Sequence, residues 1–162
     1  MPYPAIYQFT EAASMPGPSV NRSVLLETVD DGVIEAMRDA YESSPGVMTL
    51  FQIRVLGGAM ARVPSGDTAF AHRQAPVLVF GMTMVDSPEA MPAAVAWGDE
   101  FLSHLLVKSI GVYSNFLEDE GEARVREAYP ARTYRRLAAL KAAWDPENVF
   151  RRNQNIRPAA AG

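Results

Sequence analysis

Hydrophobic and polar positions along this chain follow two periods, and the change from one to the other marks out its elements. Arg22–Val29 (RSVLLETV) reads as a strand. Asp30 and Asp31 are N-cap candidates for a helix bearing Val33, Ile34, Met37, Ala40 and Tyr41 at helical spacing, and Ser43-Ser44-Pro45-Gly46 stops it. Val47–Leu56 is rich in β-branched and aromatic residues. Phe51, Ile53 and Val55 point to one face, and Leu50, Gln52, Arg54 and Leu56 to the other. Gly57-Gly58 reads as a β-bulge, with Ala59–Val63 continuing the strand as far as Pro64. Ser65-Gly66-Asp67 is a turn, Thr68–Arg73 a short strand, and Pro76–Val85 a longer one, apolar on both faces. Ser87 and Pro88 open a helix whose buried stripe is Met91, Ala94, Val95, Phe101, Leu102, Leu105 and Leu106, ending near Lys108. Gly111–Phe116 reads as a last short strand, and 121–128 and 132–143 as helices, closed by Asp145-Pro146. Pro2, Pro4, Pro16 and Pro18 make the first twenty residues an irregular lead-in.

Strands gathered between two long helices favour an α+β fold, an antiparallel sheet with helices packed on one face and a helical C-terminal tail. The other sheet face then needs a partner or a ligand, and Gln52 and Arg54 lie on it.

Composition narrows the classes. At 162 residues, with 48% hydrophobic and 21% charged positions, the chain has the length and make-up of one folded domain. The absence of cysteine excludes a disulfide scaffold, a zinc ribbon and a cysteine nucleophile, and it fits a cytoplasmic protein. The net charge of −4 gives no reason to expect nucleic-acid binding. Ala75–Val85 is too short to span a membrane, which needs about 20 residues. The opening Met1-Pro2-Tyr3-Pro4 has no basic region ahead of an apolar one, so no secretion signal is expected. Charge is uneven: residues 1–120 hold 6 Lys+Arg and 15 Asp+Glu, whereas 121–162 hold 9 and 4. The arginines at 124, 126, 132, 135 and 136 alternate with acidic and apolar residues, as on a solvated helix face.

Few residues carry an obvious chemistry. Gly57-Gly58-Ala59 lacks the spacing of a dinucleotide loop, and there is neither a phosphate-binding loop nor a nucleophile elbow. His72 reads as structural and His104 as a surface or boundary residue, neither at metal-ligand spacing, and Glu118-Asp119-Glu120-Gly121 as a solvated loop, so no metal site is expected. Tyr113 and Asn115 are the better candidates. Two apart on a strand, they present a phenol and an amide to one side. A phenol serves as proton acceptor when positive charge lies near its oxygen, and Arg54 is the candidate for that charge. A purely structural role for the pair is the competing reading.

The order of motifs in the last third settles on one resemblance. Val112-Tyr113-Ser114-Asn115-Phe116, Tyr134-Arg135-Arg136-Leu137, Leu140-Lys141, Trp144-Asp145-Pro146-Glu147-Asn148-Val149-Phe150 and Asn153-Gln154-Asn155-Ile156 occur in sequence. Together they resemble the C-terminal signature of berberine bridge enzyme-like flavoproteins, and Gly57–Pro64 and Thr68–Arg73 are similar to that family's substrate-domain strands. The resemblance covers residues 45 to 156. It implies the substrate-binding part of an FAD-dependent oxidoreductase, passing hydride from an alcohol, sugar or amine-type small-molecule substrate to flavin. Tyr113 would be catalytic and near the flavin, Asn115 cofactor-binding, and Gln52 and Arg54 substrate-facing. It also implies that FAD is held by a flavin-binding domain or subunit and not by this chain alone, which by itself would not turn over. Residues 1–110 then form a substrate-domain-like α+β region and 111–162 the family-like C-terminal segment, within one compact unit. An uncovered sheet face with Met48, Leu50, Leu56 and Met82 would call for that partner or for self-association. The alternative is a non-catalytic α+β module for small-ligand binding or dimerisation.

Overall fold

The computed structural model describes residues 2–9 and 17–160. Eight longer elements follow one another: β1 (Ser19–Leu26), α1 (Asp31–Glu42), β2 (Met48–Val55), β3 (Val77–Met84), α2 (Met91–Leu106), β4 (Ser109–Gly111), α3 (Gly121–Ala128) and α4 (Ala131–Trp144). The strands form a single antiparallel sheet in the order β2-β3-β1-β4, so the fold is α+β as expected.

Register decides which side chains face which layer. β1 pairs with β3 from Ser19↔Met84 to Leu26↔Val77, and β2 pairs with β3 from Met48↔Met84 to Val55↔Val77. This ladder places β1 three residues earlier than the hydrophobic run suggests. Glu27 onward is released to reach Asp30, whose Oδ1 accepts the Val33 N–H at 3.1 Å and caps α1. Lys108 binds the same carboxylate at 2.7 Å and holds Asp30 below the usual aspartate range.

α1 and α2 cover one sheet face. Val24, Leu26, Val79, Trp97, Phe101, Leu102 and Leu105 are buried there, with Phe51 packed beside them. The Phe51 and Phe101 rings meet edge to face at 5.0 Å, and Trp97 donates its indole N–H to the Ala40 carbonyl, tying α2 to α1. Gly81 in β3 makes this contact possible: a Cβ there would lie 2.6 Å from Phe51 and 2.8 Å from Phe101.

Several local expectations change. Tyr3–Phe9 is a 3-10 helix, not an irregular lead-in, because Pro2 and Pro4 already hold φ at values a helical turn uses. Residues 10–16, with Pro16, lie outside the described residues. Gly57 and Gly58 come after the last residue of β2 and adopt φ of 128° and 56°, so they form a turn and no bulge. Ala59–Val63 and Thr68–Arg73 form no strand; the loop crosses the sheet face, where Phe70 meets Tyr113, instead of pairing along an edge. Gly111–Phe116 is not a strand: pairing ends at Gly111, and Ser114–Phe116 is a 3-10 turn. Ser87 precedes a short 3-10 turn, Pro88–Ala90, and makes no side-chain capping bond.

The C-terminal turn explains its own motif. Asp145 accepts the Val149 and Phe150 N–H groups and the Lys141 ammonium, while Asn148 takes a left-handed φ of 52°. Gln154 then donates to the Leu117 and Glu118 carbonyls, fastening the tail to the segment after β4. The exposed face of α4 is basic as read, with Arg132, Arg135 and Arg136 in solvent, but Arg124 in α3 is buried. Among the described residues no helix is long and apolar enough to cross a membrane.

Two outcomes follow from this packing. Gly81→Ala should overpack the Phe51–Phe101 contact and cost about 1–3 kcal/mol in urea denaturation, with the secondary structure retained. Asp145 is held below its ordinary range mainly by its bond to Lys141, so its contribution is complete above that range and is lost as pH falls through the depressed value. The stability gap between the unaltered chain and Asp145→Asn should therefore shrink on acidification, read by thermal melts across pH.

Candidate functional site

The even-numbered positions of β2 and β3 and the odd positions of β1 face away from α1 and α2. Their apolar members Leu25, Leu78 and Phe80 are buried, although no long helix lies over them. Two irregular segments cover them instead: the loop joining β2 to β3, and the stretch after β4. Each brings aromatic rings to the same place.

Phe70, Tyr113 and Phe116 form a row. The Phe70 and Tyr113 rings meet edge to face at 5.5 Å, and Tyr113 and Phe116 do the same at 5.4 Å. An arginine lies over each end: the Arg73 guanidinium is 5.2 Å from the Phe70 centroid, and that of Arg54 is 4.7 Å from Phe116. Phe116 also packs on Phe80 of the sheet at 5.1 Å. This row borders an open cavity of about 390 Å3, completed by Leu25, Leu56, Leu78 and Met60. Its size suits a small organic molecule.

The four residues singled out in the sequence converge here in two pairs. Arg54 and Tyr113 both line the cavity. Gln52 does not line it; its Oε1 accepts two bonds from Arg54, at 2.8 and 2.6 Å, and sets the guanidinium in place. Asn115 donates its side-chain amide to the Tyr113 hydroxyl at 2.7 Å and lines a neighbouring polar groove of about 880 Å3 with Glu118, Arg151 and Gln154. The Tyr113–Asn115 pairing was expected from strand alternation. It arises instead from an extended Tyr113 followed directly by the 3-10 turn. Arg54 supplies charge to the cavity, but its guanidinium is bound to Gln52 and stacked on Phe116 rather than hydrogen-bonded to the Tyr113 oxygen.

Phe70, Arg73, Met60 and Phe116 were missed as site residues. Only a pattern of an aromatic residue three positions before an arginine, Phe70 and Arg73, hinted at them, and it is common in ordinary sequence. The expected apolar patch is also reduced. Met48, Leu50, Leu56 and Met82 are half-buried, and Leu56 and Met82 pack into the cluster beneath the rings. Large apolar side chains left in solvent lie elsewhere, among them Val55, Val107, Trp144, Val149 and Phe150.

Two polar networks support the segment that carries Tyr113. Arg22, 5% exposed, reaches Asp99 of α2 at 2.7 Å and Glu118 at 3.1 Å. Burial pushes the Glu118 carboxyl above its usual range, against the opposing pull of Asn21 and Arg22. Buried Arg124 joins Glu120, Glu127 and the Ser23 carbonyl. His72 holds the covering loop down: its Nε2 meets the Glu127 carbonyl at 2.8 Å, and its ring lies against Gly111, where φ is 143°. Among the described residues no cluster of His, Cys, Asp and Glu could hold a metal ion.

Known proteins bear on this arrangement. Residues 112–157 match the family described as "Berberine and berberine like". The chain is 28% identical over 133 residues to an FAD-linked oxidoreductase of Dictyostelium discoideum, covering 82% of this chain and 29% of that protein. It is 32% identical over 130 residues to an uncharacterised FAD-linked oxidoreductase of Bacillus subtilis, covering 80% and 29%. A glycopeptide hexose oxidase solved with teicoplanin superposes with a TM-score of 0.77 at 21% identity, covering 88% of this chain and 33% of that one. Aclacinomycin oxidoreductase does so with a TM-score of 0.74 at 20% identity, covering 87% and 32%. Residues 112–157 thus carry the berberine bridge enzyme-like segment, and over most of its length the chain is similar to FAD-linked oxidoreductases. It spans about three-tenths of the length of the curated relatives it matches.

His72 and Gly111 give a direct test of how the loop is held. A Cβ at position 111 would lie 2.2 Å from His72 Cε1, and φ there disfavours any side chain. Gly111→Ala should dislodge His72 and raise amide hydrogen exchange across residues 57–76, while exchange in α1 and α2 stays unchanged.

Proposed function

We propose that this chain forms the substrate-facing roof of an FAD-dependent oxidoreductase, with the cofactor held by a flavin-binding domain or subunit. The observation that carries the reading is the cavity walled by Tyr113 and its two flanking phenylalanines, within a chain related to FAD-linked oxidoreductases. The chain's own groups favour a division of labour. Gly57 and Gly58 open no helix, and Gly121, which opens α3, follows Glu118, Asp119 and Glu120, whose charge repels a phosphate. Tyr113 and Asn115 fit the edge of a planar ring system, with a hydroxyl and an amide at the cavity rim.

A bound flavin would supply the hydride acceptor for a small alcohol, sugar or amine-type substrate. This chain's residues would do the rest. The Tyr113 oxygen takes the substrate hydroxyl proton as general base. Asn115 fixes the rotation of that phenol by donating to it, and Gln52 fixes Arg54 against the substrate. The three rings exclude water from the apolar side of the cavity. Residues 1–110 serve as the substrate region and 111–162 as the segment that meets the flavin-holding unit. The exposed Trp144, Val149 and Phe150 support a covering partner, either that unit or a second copy of the chain. Such a pair would work in the cytoplasm, in keeping with the cysteine-free sequence.

The test is reconstitution with a flavin-binding unit and measurement of flavin bleaching under anaerobic substrate. Tyr113→Phe should slow bleaching by about 10²–10⁴-fold, the usual contribution of a general base, with substrate affinity nearly unchanged. Bleaching at an unaltered rate in the variant would overturn the role of Tyr113 as base, and no bleaching by the unaltered assembly would leave the alternative, a non-catalytic ligand-binding module.

A further inference from the structure

Among the described residues, some arginines are neutralised by a carboxylate, and others, among them Arg62, Arg132, Arg135, Arg151 and Arg152 in solvent, are not. Arg22, Arg38, Arg124, Arg126 and Arg157 each pair with a carboxylate. The two that line the cavity do not. Arg54 spends Nε and Nη2 on the amide oxygen of Gln52. Arg73 spends Nε on the Phe70 carbonyl and Nη2 on the Thr68 hydroxyl. Both stack on phenylalanine rings. Neutral acceptors and ring faces hold each guanidinium in place without cancelling its charge, and Nη1 of each has no hydrogen-bond partner among the described residues. Among the described residues no Asp or Glu lines this cavity, whereas the 880 Å3 groove contains Glu118 and Asp119 and the groove between α1 and α2 contains Glu35, Asp39 and Glu100. The remaining walls are aliphatic and aromatic.

We infer that the cavity selects a compact substrate with an apolar ring body and a carboxylate, in preference to a neutral sugar or an amine. This rests on the reading of the cavity as the substrate site and adds the substrate's charge to it. Guanidinium suits a planar carboxylate, and two uncompensated cations beside an apolar wall attract an anion and repel an ammonium. An amine-type substrate would meet two like charges and no counter-charge. A sugar would leave the aliphatic wall facing hydroxyl groups.

Binding to the chain without flavin isolates this inference from the redox reading. Calorimetric titration should show benzoate binding at least tenfold tighter than benzyl alcohol, which corresponds to about 1.4 kcal/mol. Benzylamine should bind more weakly than either, and added salt should weaken benzoate alone. The double variant Arg54→Met and Arg73→Met should bring benzoate and benzyl alcohol to within about twofold. Single Arg54→Gln and Arg73→Gln variants, with unchanged thermal melts, should each reduce the benzoate preference. Equal binding of benzoate and benzyl alcohol, no benzoate binding, or a preference that survives in the folded variants overturns the proposal. Failure of flavin bleaching with benzoate preference intact would instead overturn the redox reading alone.

Discussion

The sheet has two apolar faces and long helices for only one of them. The fold and the candidate site both depend on how the second face is covered. Leu25, Leu78 and Phe80 are kept from water by the Phe70–Tyr113–Phe116 row, contributed by two segments without regular structure. Each edge-to-face pair adds about 0.5–1.5 kcal/mol beyond the area it buries. Ordering a loop costs about 1–2 kcal/mol per residue, so the rings alone do not hold residues 57–76 in place. The loop is secured by further bonds, from the Leu56 N–H to Pro76, from the Gln74 side chain to the Ala61 carbonyl and from His72 to Glu127. A cover of this kind leaves a cavity where a helix would have filled the space with side chains.

Charge is distributed to suit that arrangement. A buried cation is costly unless it is paired, and Arg22 and Arg124 are each paired with two carboxylates. Both anchor the stretch from Val112 to Glu127, the rear support of the Tyr113 turn. Arg54 is exposed and keeps water on part of its guanidinium, so a neutral amide and a ring face are enough to hold it. The difference between the two kinds of arginine is therefore a difference in solvation, and at the cavity it leaves uncompensated charge beside an apolar wall.

Much of this was legible in the sequence, and the failures share a cause. The period of two in Val47–Leu56 placed Phe51 with the helices and Gln52 and Arg54 on the opposite face, because a strand fixed by a ladder on one side cannot rotate its side chains out of register. Helix α1 and its Asp30 cap were legible for a similarly local reason. Thr68–Arg73 and Gly111–Phe116 have strand-like composition, but strand content predicts pairing only where the chain runs along a free edge. The outer edges of β2 and β4 are open, but Phe70, Tyr113 and Phe116 draw both segments over the sheet face instead of along those edges. Phe70, Arg73 and Phe116 therefore belong to the site through a tertiary packing that no local pattern encodes.

Tyr113 shows how far a structural role and a chemical one can share a residue. Its ring is the middle member of the row, so replacing it by a small residue would part Phe70 from Phe116 and expose the sheet. Its hydroxyl takes no part in that packing. It is bonded to Asn115, an exposed residue whose side chain makes no other hydrogen bond among the described residues, at the rim of the cavity. A ring needed only as a wedge would be served by phenylalanine, which avoids the cost of bringing a hydroxyl next to an apolar wall. The phenol and its amide partner lie at the open end, where the wall meets solvent and where the arginine at either end of the row leaves a donor free. That placement separates the two roles within one side chain: the ring holds the cover together, and the oxygen is left for chemistry.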